Sequence, residues 1–379
     1  PPPPDINTTA KSSAASDVYK RQILVMAGGT GGHVDPALAG ARALQAQSRE
    51  VVWLGTHRGL ESRVVPAAGI EIEWISIKGL RRKGALAVLI APLQIGWALL
   101  QSLAVIFRRR PAAVLGMGGF VSGPGGVTAW LTRRPLVIHE QNAAAGMTNR
   151  LLARLARVVL QAFPGSFNSN VDAETVGNPV REDIAAVAPP HERYADRAGP
   201  LRVLVLGGSQ GALALNRTVP ASLALLDPDM RPVVRHQCGE RTLDTARQAY
   251  DEHAVDVELL PFIEDMAAAY AWADLVICRA GALTIAELCA VGVPALFVPY
   301  PAAVDDHQTA NARPMAEAGA GVIIQESELT PEKLADLLRE WLQSRAELLQ
   351  RAAKARALSA PDSLRRITDI CVEQAGAVA

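Results

Sequence analysis

The sequence predicts an α/β protein of two doubly wound, Rossmann-like domains, each with its own parallel sheet. Short aliphatic runs alternate with longer amphipathic segments along most of the 379 residues, and strands separated by helical segments are typical of parallel sheets. The alternation begins again near Leu201. A single core rarely grows beyond about 250 to 300 residues, so the length also favours two domains.

The predicted strands form two sets, and the helical segments between them imply right-handed crossovers. The N-terminal set is ILVMA (23–27), VVWLG (51–55), IEIEWI (70–75), AAVLG (112–116) and PLVIH (135–139). The C-terminal set is LRVLVLGG (201–208), RPVVRHQ (231–237), VDVELLP (255–261), DLVIC (274–278), PALFVP (294–299) and GAGVII (319–324). Similar strand-then-glycine turns at Gly28 and Gly207 support the division into two domains.

The mostly apolar segment 84–107 is ambiguous. It lies between basic triplets at 81–83 and 108–110, and its length would suffice to cross a bilayer. However, it contains Pro92 and Gln94, and it connects two predicted strands of one sheet, which a single span would separate. A spanning helix, a core-packing helix and an interfacial helix with basic flanks are the alternatives, and we favour the interfacial helix.

The domain limits follow from composition. Residues 1–22 are rich in Pro, Ser, Thr and Ala and lack the apolar stretch of a secretory signal, so we expect a disordered tail or an artefact of sequence assembly. We predict an N-terminal domain at 23–180 and a C-terminal domain at 181–360, because Asn-Pro at 178–179 breaks regular structure. Residues 361–379 are predicted to contain a helix that packs back on the N-terminal domain or on the C-terminal one.

Charge and cysteine content exclude several classes of function. Lys plus Arg and Asp plus Glu both number 38, so no excess of positive charge indicates a nucleic-acid partner. The four cysteines have neither the paired spacing of a zinc site nor the density of a disulfide scaffold. A reducing cytosol is therefore expected.

The turn GGTGGH (28–33) follows a predicted strand and opens a helix, with Pro36 suited to the first helical turn. Such a turn presents backbone N–H groups and a positive helix end to an anion, although its glycines could also serve only close packing.

A dinucleotide-binding dehydrogenase is disfavoured as an interpretation of this turn. Val34 replaces the third glycine of that fingerprint, and the second strand ends without an acidic residue.

A second turn, RAGALT (279–284), follows the apolar run LVIC and opens another helix. Its N–H groups could bind a diphosphate, and Glu287 could accept hydrogen bonds from two ribose hydroxyls. Alternatively, Glu287 is an ordinary exposed glutamate near a helix N-terminus, stabilised by the helix dipole.

Seven motifs in one order, within residues 23–360, resemble those of the MurG family of glycosyltransferases. They are GGTGGH (28–33), GMGGFVSGPGG (116–126), HEQNAAAG (139–146), GNPVR (177–181), GGSQGA (207–212), RAGALT (279–284) and DDHQTANA (305–312). Asp35 departs from the pattern, because that family usually has an aromatic residue there. The resemblance implies a GT-B architecture, in which two Rossmann-like domains face a central cleft and the donor nucleotide binds mainly the C-terminal one.

The resemblance also implies the donor-site residues. Uracil would contact Ile263 and Phe262, and ribose would bind Glu287. Phosphates would bind Ser209, Arg181 and the turn at 282–286. Gln308 and Asn142 would contact the sugar. The glycine turn of the N-terminal domain, with Thr30, Gly31 and Gly32, would close the donor site. Carried over by position, the substrate-binding set is Thr30, Gly31, Gly32, Asn142, Arg181, Ser209, Phe262, Ile263, Ala282, Leu283, Thr284, Ile285, Ala286, Glu287 and Gln308.

The implied activity is inverting transfer of N-acetylglucosamine from UDP-GlcNAc to the C4 hydroxyl of MurNAc-(pentapeptide)-pyrophosphoryl-undecaprenol (lipid I), giving lipid II for peptidoglycan. The implied partners are this donor, the undecaprenyl-linked acceptor, the anionic membrane surface and other cell-wall synthesis proteins. The enzyme would be peripheral, on the cytoplasmic face of the bacterial inner membrane. No cofactor and no metal ion are expected, because helix N-termini and Arg181 can stabilise the UDP leaving group.

Two residues are candidates for the catalytic base. His33 is the first, because it follows the N-terminal glycine turn and an imidazole titrates near neutrality, although it could instead only support the loop. Glu140 is the second, with the alternative that it orients Asn142.

Two other functions also fit the same architecture: a UDP-N-acetylglucosamine 2-epimerase, and a non-catalytic nucleotide-sugar sensor.

Overall fold

The computed structural model describes residues 22–77, 85–208, 211–303 and 306–377. It divides into two compact units. Unit 1 runs to Pro179 and resumes at Asp362, and unit 2 is Val180–Pro361. Each unit is built on one parallel sheet, so the predicted pair of Rossmann-like, doubly wound domains is confirmed.

The described part of unit 1 contains a seven-stranded sheet in the order β3-β2-β1-β4-β5-β6-β7. Its strands are β1 (Gln22–Met26), β2 (Glu50–Gly55), β3 (Glu71–Trp74), β4 (Ala113–Gly116), β5 (Leu136–Glu140), β6 (Val158–Gln161) and β7 (Ala173–Thr175). The five predicted strands are confirmed, whereas β6 and β7 were not predicted. Strand β7 is a three-residue, largely exposed edge strand, and a strand that buries so little has no apolar run to reveal it.

The described part of unit 2 contains a six-stranded parallel sheet in the order β10-β9-β8-β11-β12-β13. Its strands are β8 (Arg202–Leu206), β9 (Val233–Gln237), β10 (Glu258–Leu260), β11 (Leu275–Cys278), β12 (Ala295–Phe297) and β13 (Gly321–Ile323). All six were predicted from the sequence. Their central residues are fully buried in β8 and β11, as expected where helices cover both faces of a sheet.

Helices connect successive strands and close both units. In chain order they are α1 (Gly31–Ala46), α2 (Glu61–Ala67), α3 (Ala85–Arg109), α4 (Ser122–Leu131), α5 (Met147–Leu152), α6 (Glu182–Ala185), α7 (Pro190–Ala195), α8 (Leu213–Ala224), α9 (Leu243–Glu252), α10 (Met266–Trp272), α11 (Ala282–Val291), α12 (His307–Glu317), α13 (Pro331–Leu342), α14 (Arg345–Ala357) and α15 (Ser363–Gly376). The C-terminal helix α15 packs on α1 and β4 of unit 1.

Alternate residues of β1 enter the two cores of unit 1. Ile23 and Val25 belong to one apolar cluster, which also receives Ile367 from α15. Leu24 and Met26 belong to the cluster on the opposite face. Because successive side chains of a strand point to opposite faces, both faces of this sheet are buried, and a ligand is expected at the carboxyl ends of its strands.

The strand order fixes where those loops lie. In each sheet the order reverses beside the first strand, between β1 and β4 in unit 1 and between β8 and β11 in unit 2. Ligands of doubly wound sheets bind at the carboxyl ends of strands at such a reversal. The loop GGTGGH follows β1 and GMGG follows β4, while RAGALT follows β11, so the predicted motifs lie at these two positions.

Helix α3 accounts for the ambiguous apolar segment. Among the described residues it is the one helix long and apolar enough to cross a bilayer, judged by length and composition, over Ile90–Arg109. A buried stripe of Ala98, Ser102 and Val105 has helical spacing, and α3 packs against α4. It also connects β3 to β4 in one parallel sheet. This geometry favours a crossover helix over a membrane-spanning one.

Candidate functional site

The N-terminal glycine turn is held by a buried carboxylate that the sequence does not reveal. Glu61, at the start of α2, is fully buried. Its Oε2 accepts the Gly29 N–H at 2.9 Å, and its Oε1 accepts the Thr56 N–H at 3.1 Å and the Thr56 hydroxyl at 2.7 Å. One side chain thus joins the loops that follow β1 and β2. No motif marks Glu61, because its partners come from two separate loops.

The two glycine turns of unit 1 touch each other. Gly118 and Gly119, after β4, have φ values of +92° and +81°. A Cβ at Gly119 would overlap the backbone of Gly28, and one at Gly118 would overlap the His33 ring. Glycine is therefore required at both positions, for its backbone conformation and for this close approach.

The predicted site residues of the first glycine turn lie at the start of α1. Thr30 is the exposed N-cap residue, and Gly31 and Gly32 form the first turn. His33 donates its N–H to the Thr30 carbonyl at 3.1 Å, and its ring Nδ1 lies 2.9 Å from Oε1 of Gln141. The structure therefore brings His33 to the loop that follows β5.

Glu140 is the organising group of that loop. It is buried, and its Oε1 accepts the backbone N–H of Asn142 at 3.0 Å and the Asn142 side-chain amide at 3.2 Å. Its Oε2 accepts the Gly146 N–H at 3.1 Å and the Asn149 amide at 2.8 Å. A carboxylate offers about four acceptor positions, and protein donors occupy all four. This arrangement favours the orienting role of Glu140 over proton transfer.

His139 is a buried neutral side chain beside this loop. Burial lowers the pKa of His139 to about 4, and its Nε2 lies 2.9 Å from the Gly177 carbonyl oxygen. A carbonyl oxygen only accepts, so Nε2 carries the proton. Because this pKa is lowered, His139 stays uncharged at neutral pH and takes a proton only in acid.

In unit 2, the predicted phosphate turn is the N-terminus of α11. Ala282, Leu283, Thr284, Ile285 and Ala286 are its first five residues, after the N-cap Gly281. The first turn of a helix directs backbone N–H groups outward and carries a positive partial charge. This element follows β11 at the strand-order reversal.

Helix α12 fixes the loop before α11. Gln308 accepts the Ala280 N–H at 3.2 Å and the Tyr300 N–H at 2.9 Å, both through Oε1. Buried Asn311 donates to the Ala280 carbonyl at 3.1 Å. Because the carbonyl oxygen of Gln308 is engaged, a sugar contact from this residue would come from its amide nitrogen.

Glu287 has a partner that the sequence did not reveal. The hydroxyl of Tyr270, in α10, donates to Oε2 of Glu287 at 2.9 Å. Burial, followed by the charge of Glu287, raises the pKa of Tyr270 well above its ordinary value, so the phenol remains a donor. Glu287 is therefore held in one orientation, unlike an ordinary exposed glutamate.

The other predicted residues of unit 2 lie in separate segments. Phe262 is half-exposed and Ile263 is buried, both after the edge strand β10. Three strand spacings, about 14 Å, separate β10 from β11 in the sheet. Arg181 precedes α6, with its Nε 3.7 Å from Asp183. Ser209 lies outside the described residues.

Comparisons with known proteins agree over nearly the whole chain. Residues 23–161 match the glycosyltransferase family 28 N-terminal domain, and residues 202–367 match its C-terminal domain. A relative from Alkalilimnicola ehrlichii, named UDP-N-acetylglucosamine--N-acetylmuramyl-(pentapeptide) pyrophosphoryl-undecaprenol N-acetylglucosamine transferase, is 59% identical over 93% of this chain and 99% of its own.

Solved structures extend the comparison. The crystal structure of Acinetobacter baumannii MurG is 41% identical, with a TM-score of 0.82 over 93% of this chain and 99% of that one. A UDP-GlcNAc 2-epimerase from Neisseria meningitidis, solved bound to UDP-GlcNAc, has a TM-score of 0.66 over 93% of this chain and 100% of its own, but only 12% identity. The similarity to the epimerase shows the fold alone.

Removing the Glu61 carboxylate tests its role in the first turn. Glu61→Ala would leave part-buried donors at Gly29 and Thr56 without this acceptor, and each unsatisfied group costs roughly 1 to 3 kcal/mol when fully buried. We expect the free energy of unfolding of unit 1 to fall by about 2 to 4 kcal/mol, measured by urea titration with hydrogen-exchange detection. The exposed control Glu317→Ala should change it by less than about 0.5 kcal/mol. Equal small losses in both variants would contradict the role of Glu61.

Proposed function

Because the chain belongs to glycosyltransferase family 28, we propose that it transfers N-acetylglucosamine from UDP-GlcNAc to the C4 hydroxyl of lipid I, forming lipid II. The observation that carries this proposal is the 59% identity to a transferase of that name over 93% of this chain. The geometry agrees with it. A helix N-terminus and an oriented carboxylate, which suit a diphosphate and a ribose diol, lie together after β11.

Unit 2 is the proposed donor site. The α11 N-terminus would bind the diphosphate, Glu287 would accept from the ribose hydroxyls, and the loop with Phe262 and Ile263 would hold uracil. A nucleoside diphosphate laid along the strand ends can bridge β11 and β10. Arg181 would add positive charge as UDP leaves, and Gln308 would contact the sugar. Ser209 remains a proposed phosphate ligand by resemblance.

Unit 1 is the proposed acceptor side. The acceptor C4 oxygen attacks the anomeric carbon while the bond from that carbon to the UDP oxygen breaks, which inverts the configuration in one displacement. The C4 proton goes to the base, for which we propose His33. Asn142, held by Glu140, would contact the transferred sugar, and Thr30, Gly31 and Gly32 would complete the donor site.

A transfer assay with labelled UDP-GlcNAc and a lipid I analogue tests the activity. The proposal requires a labelled disaccharide-lipid product and stoichiometric UDP. A labelled sugar epimer formed without acceptor would indicate the 2-epimerase reaction, and binding without any product would indicate a sensor. Either result would overturn the proposal.

We also propose that unit 1 docks on an anionic membrane at the cytoplasmic face. Exposed apolar side chains lie on three neighbouring helices: Leu93, Trp97 and Leu100 on α3, Trp130 and Leu131 on α4, and Met147 and Leu151 on α5. Exposed apolar patches of this kind mark membrane or partner contacts. We call these seven side chains the apolar face.

The basic flank at the C-terminal end of α3 would contribute less to membrane attraction than the sequence suggested. Residues 81–83 lie outside the described residues. Arg108 and Arg109 form ion pairs with Glu73, and Arg109 also pairs with Glu71, so acidic neighbours offset these two charges. Membrane attraction would therefore depend more on the apolar face, helped by basic residues such as Arg133 and Arg134 after α4.

Glu287→Gln should weaken UDP binding by roughly 5- to 150-fold, because a charge-assisted hydrogen bond to ribose contributes about 1 to 3 kcal/mol. The measurement is isothermal titration with UDP. The matched control Glu328→Gln alters an exposed glutamate paired with Lys333 and should leave the affinity unchanged. Unchanged affinity in the Glu287→Gln variant would contradict the ribose assignment.

His33→Ala should lower turnover by about two to four orders of magnitude and leave UDP affinity nearly intact, because the residues proposed to bind uracil, ribose and the diphosphate are in unit 2. Steady-state kinetics and UDP titration measure both quantities, with the exposed His253→Ala as control. Near-normal turnover in the His33→Ala variant would exclude His33 as the base. Loss of UDP binding as well would indicate a loop-supporting role.

A double substitution, Trp97→Gln with Leu100→Gln, should reduce binding to anionic vesicles at least about tenfold, since burying one large apolar side chain contributes roughly 1.5 to 3 kcal/mol. Flotation with vesicles of defined composition measures it. The control, Leu225→Gln with Met230→Gln, changes exposed apolar side chains of unit 2 and should bind normally. Equal binding by both variants would contradict docking through the apolar face.

A further inference from the structure

The side chain of Gln141 is oriented by its surroundings in only one way. It is buried, and its Nε2 lies 3.0 Å from the Met117 carbonyl oxygen and 3.3 Å from the His139 carbonyl oxygen. Carbonyl oxygens accept hydrogen bonds and cannot donate them, so the amide nitrogen must occupy this position. The opposite orientation would place three oxygens together in a buried site, which is costly.

The same amide determines the hydrogen bond to His33. With its nitrogen on the carbonyl side, Gln141 directs Oε1 to Nδ1 of His33 at 2.9 Å. An amide oxygen is only an acceptor, so the His33 Nδ1 must carry the proton. A neutral imidazole has one N–H, and the lone pair therefore lies on Nε2.

His139 supports this arrangement from the other side. Its Nε2 donates to the Gly177 carbonyl at 2.9 Å, so its Nδ1 accepts from Nε2 of Gln141 at 3.2 Å. The backbone carbonyl of Gln141 also accepts from the Asn178 amide at 2.9 Å. Donors and acceptors thus alternate without conflict from Gly177 through His139 and Gln141 to His33.

We propose that Gln141 is a positioning residue that fixes His33 in the Nδ1–H tautomer and keeps Nε2 as its basic nitrogen. The nitrogen that is protonated in a histidine is set by the hydrogen bond that the ring makes. Free histidine in water favours the opposite, Nε2–H tautomer, so without Gln141 much of His33 would hold its lone pair on the wrong nitrogen. The catalytic consequence rests on the proposed function, whereas the tautomer does not.

The close approach of Gly118 to the His33 ring supports the assignment of the Nδ1–H tautomer. A Cβ at Gly118 would lie 2.6 Å from Nδ1 of His33 and 2.8 Å from its Cε1. This turn therefore limits the movement of the ring on the Nδ1 side, and only a residue without a side chain leaves room for the contact with Gln141.

Nitrogen-15 NMR of the histidine-labelled full chain tests the tautomer without any substrate. At a pH where His33 is neutral, the wild-type spectrum should show a protonated Nδ1 and an unprotonated Nε2, with the resonance assigned by its loss in His33→Ala. In Gln141→Met, which keeps the side-chain length but removes the acceptor, the two nitrogens should shift toward the Nε2–H form. A wild-type signal with the proton on Nε2 would overturn the proposal.

Kinetics of the same variant separate positioning from folding. Gln141→Met should lower kcat at least about tenfold while KM for UDP-GlcNAc and the affinity for UDP change less than about twofold. The control Thr128→Val removes another buried hydrogen-bonding side chain of unit 1, whose partners are Pro124 and Gly125. It should destabilise the protein but leave the His33 spectrum and kcat unchanged.

The outcomes also distinguish this proposal from the assignment of the base. An Nδ1–H tautomer in a protein whose His33→Ala variant retains full turnover would leave the tautomer assignment standing and remove the catalytic role of His33. An unchanged tautomer and unchanged kcat in a folded Gln141→Met variant would overturn the positioning role of Gln141.

Discussion

The reversal of strand order in each parallel sheet is the constraint on which the rest of this structure depends. Both faces of each sheet are covered by helices, so alternate residues of strands such as β1 are committed to two apolar cores. Most of the polar groups proposed for binding and catalysis therefore lie at the strand ends, or in the loops and helix starts that follow them. The reversals between β1 and β4, and between β8 and β11, separate neighbouring crossovers and open a crevice there. The glycine turns and the helix N-termini occupy these places in both units.

Loops at such positions cannot satisfy their backbone groups through a sheet ladder, so side chains supply the missing partners. Glu61 accepts from the loops after β1 and β2, and Glu140 accepts from the loop after β5. In unit 2, Gln308 holds the segment before α11, and Tyr270 holds Glu287. These buried polar contacts leave the groups proposed for catalysis and binding in fixed orientations, and such preorganisation supports transition-state stabilisation.

Much of this could be predicted from the sequence because strands, glycine turns and helix starts are local patterns. Eleven strands and the positions of the motif loops follow from apolar runs and glycines in one stretch of chain. The short edge strand β7 could not be predicted, since it buries too little. The roles of Glu61, Gln141 and Tyr270 could not be predicted either, because each has a partner that only the fold brings close: Gly29, His33 and Glu287, respectively. The ion pairs of Arg108 and Arg109 could not be predicted for the same reason, because their acidic partners lie on β3.

We infer that unit 2 binds the donor nucleotide along the carboxyl ends of β10 and β11. A crystal structure of the protein with UDP bound tests it most directly. We expect uracil at the backbone of Ile263 and against Phe262, the ribose hydroxyls within hydrogen-bond distance of Glu287, and the diphosphate at the N-terminus of α11. A nucleotide bound elsewhere, or a ribose turned away from Glu287, would contradict it.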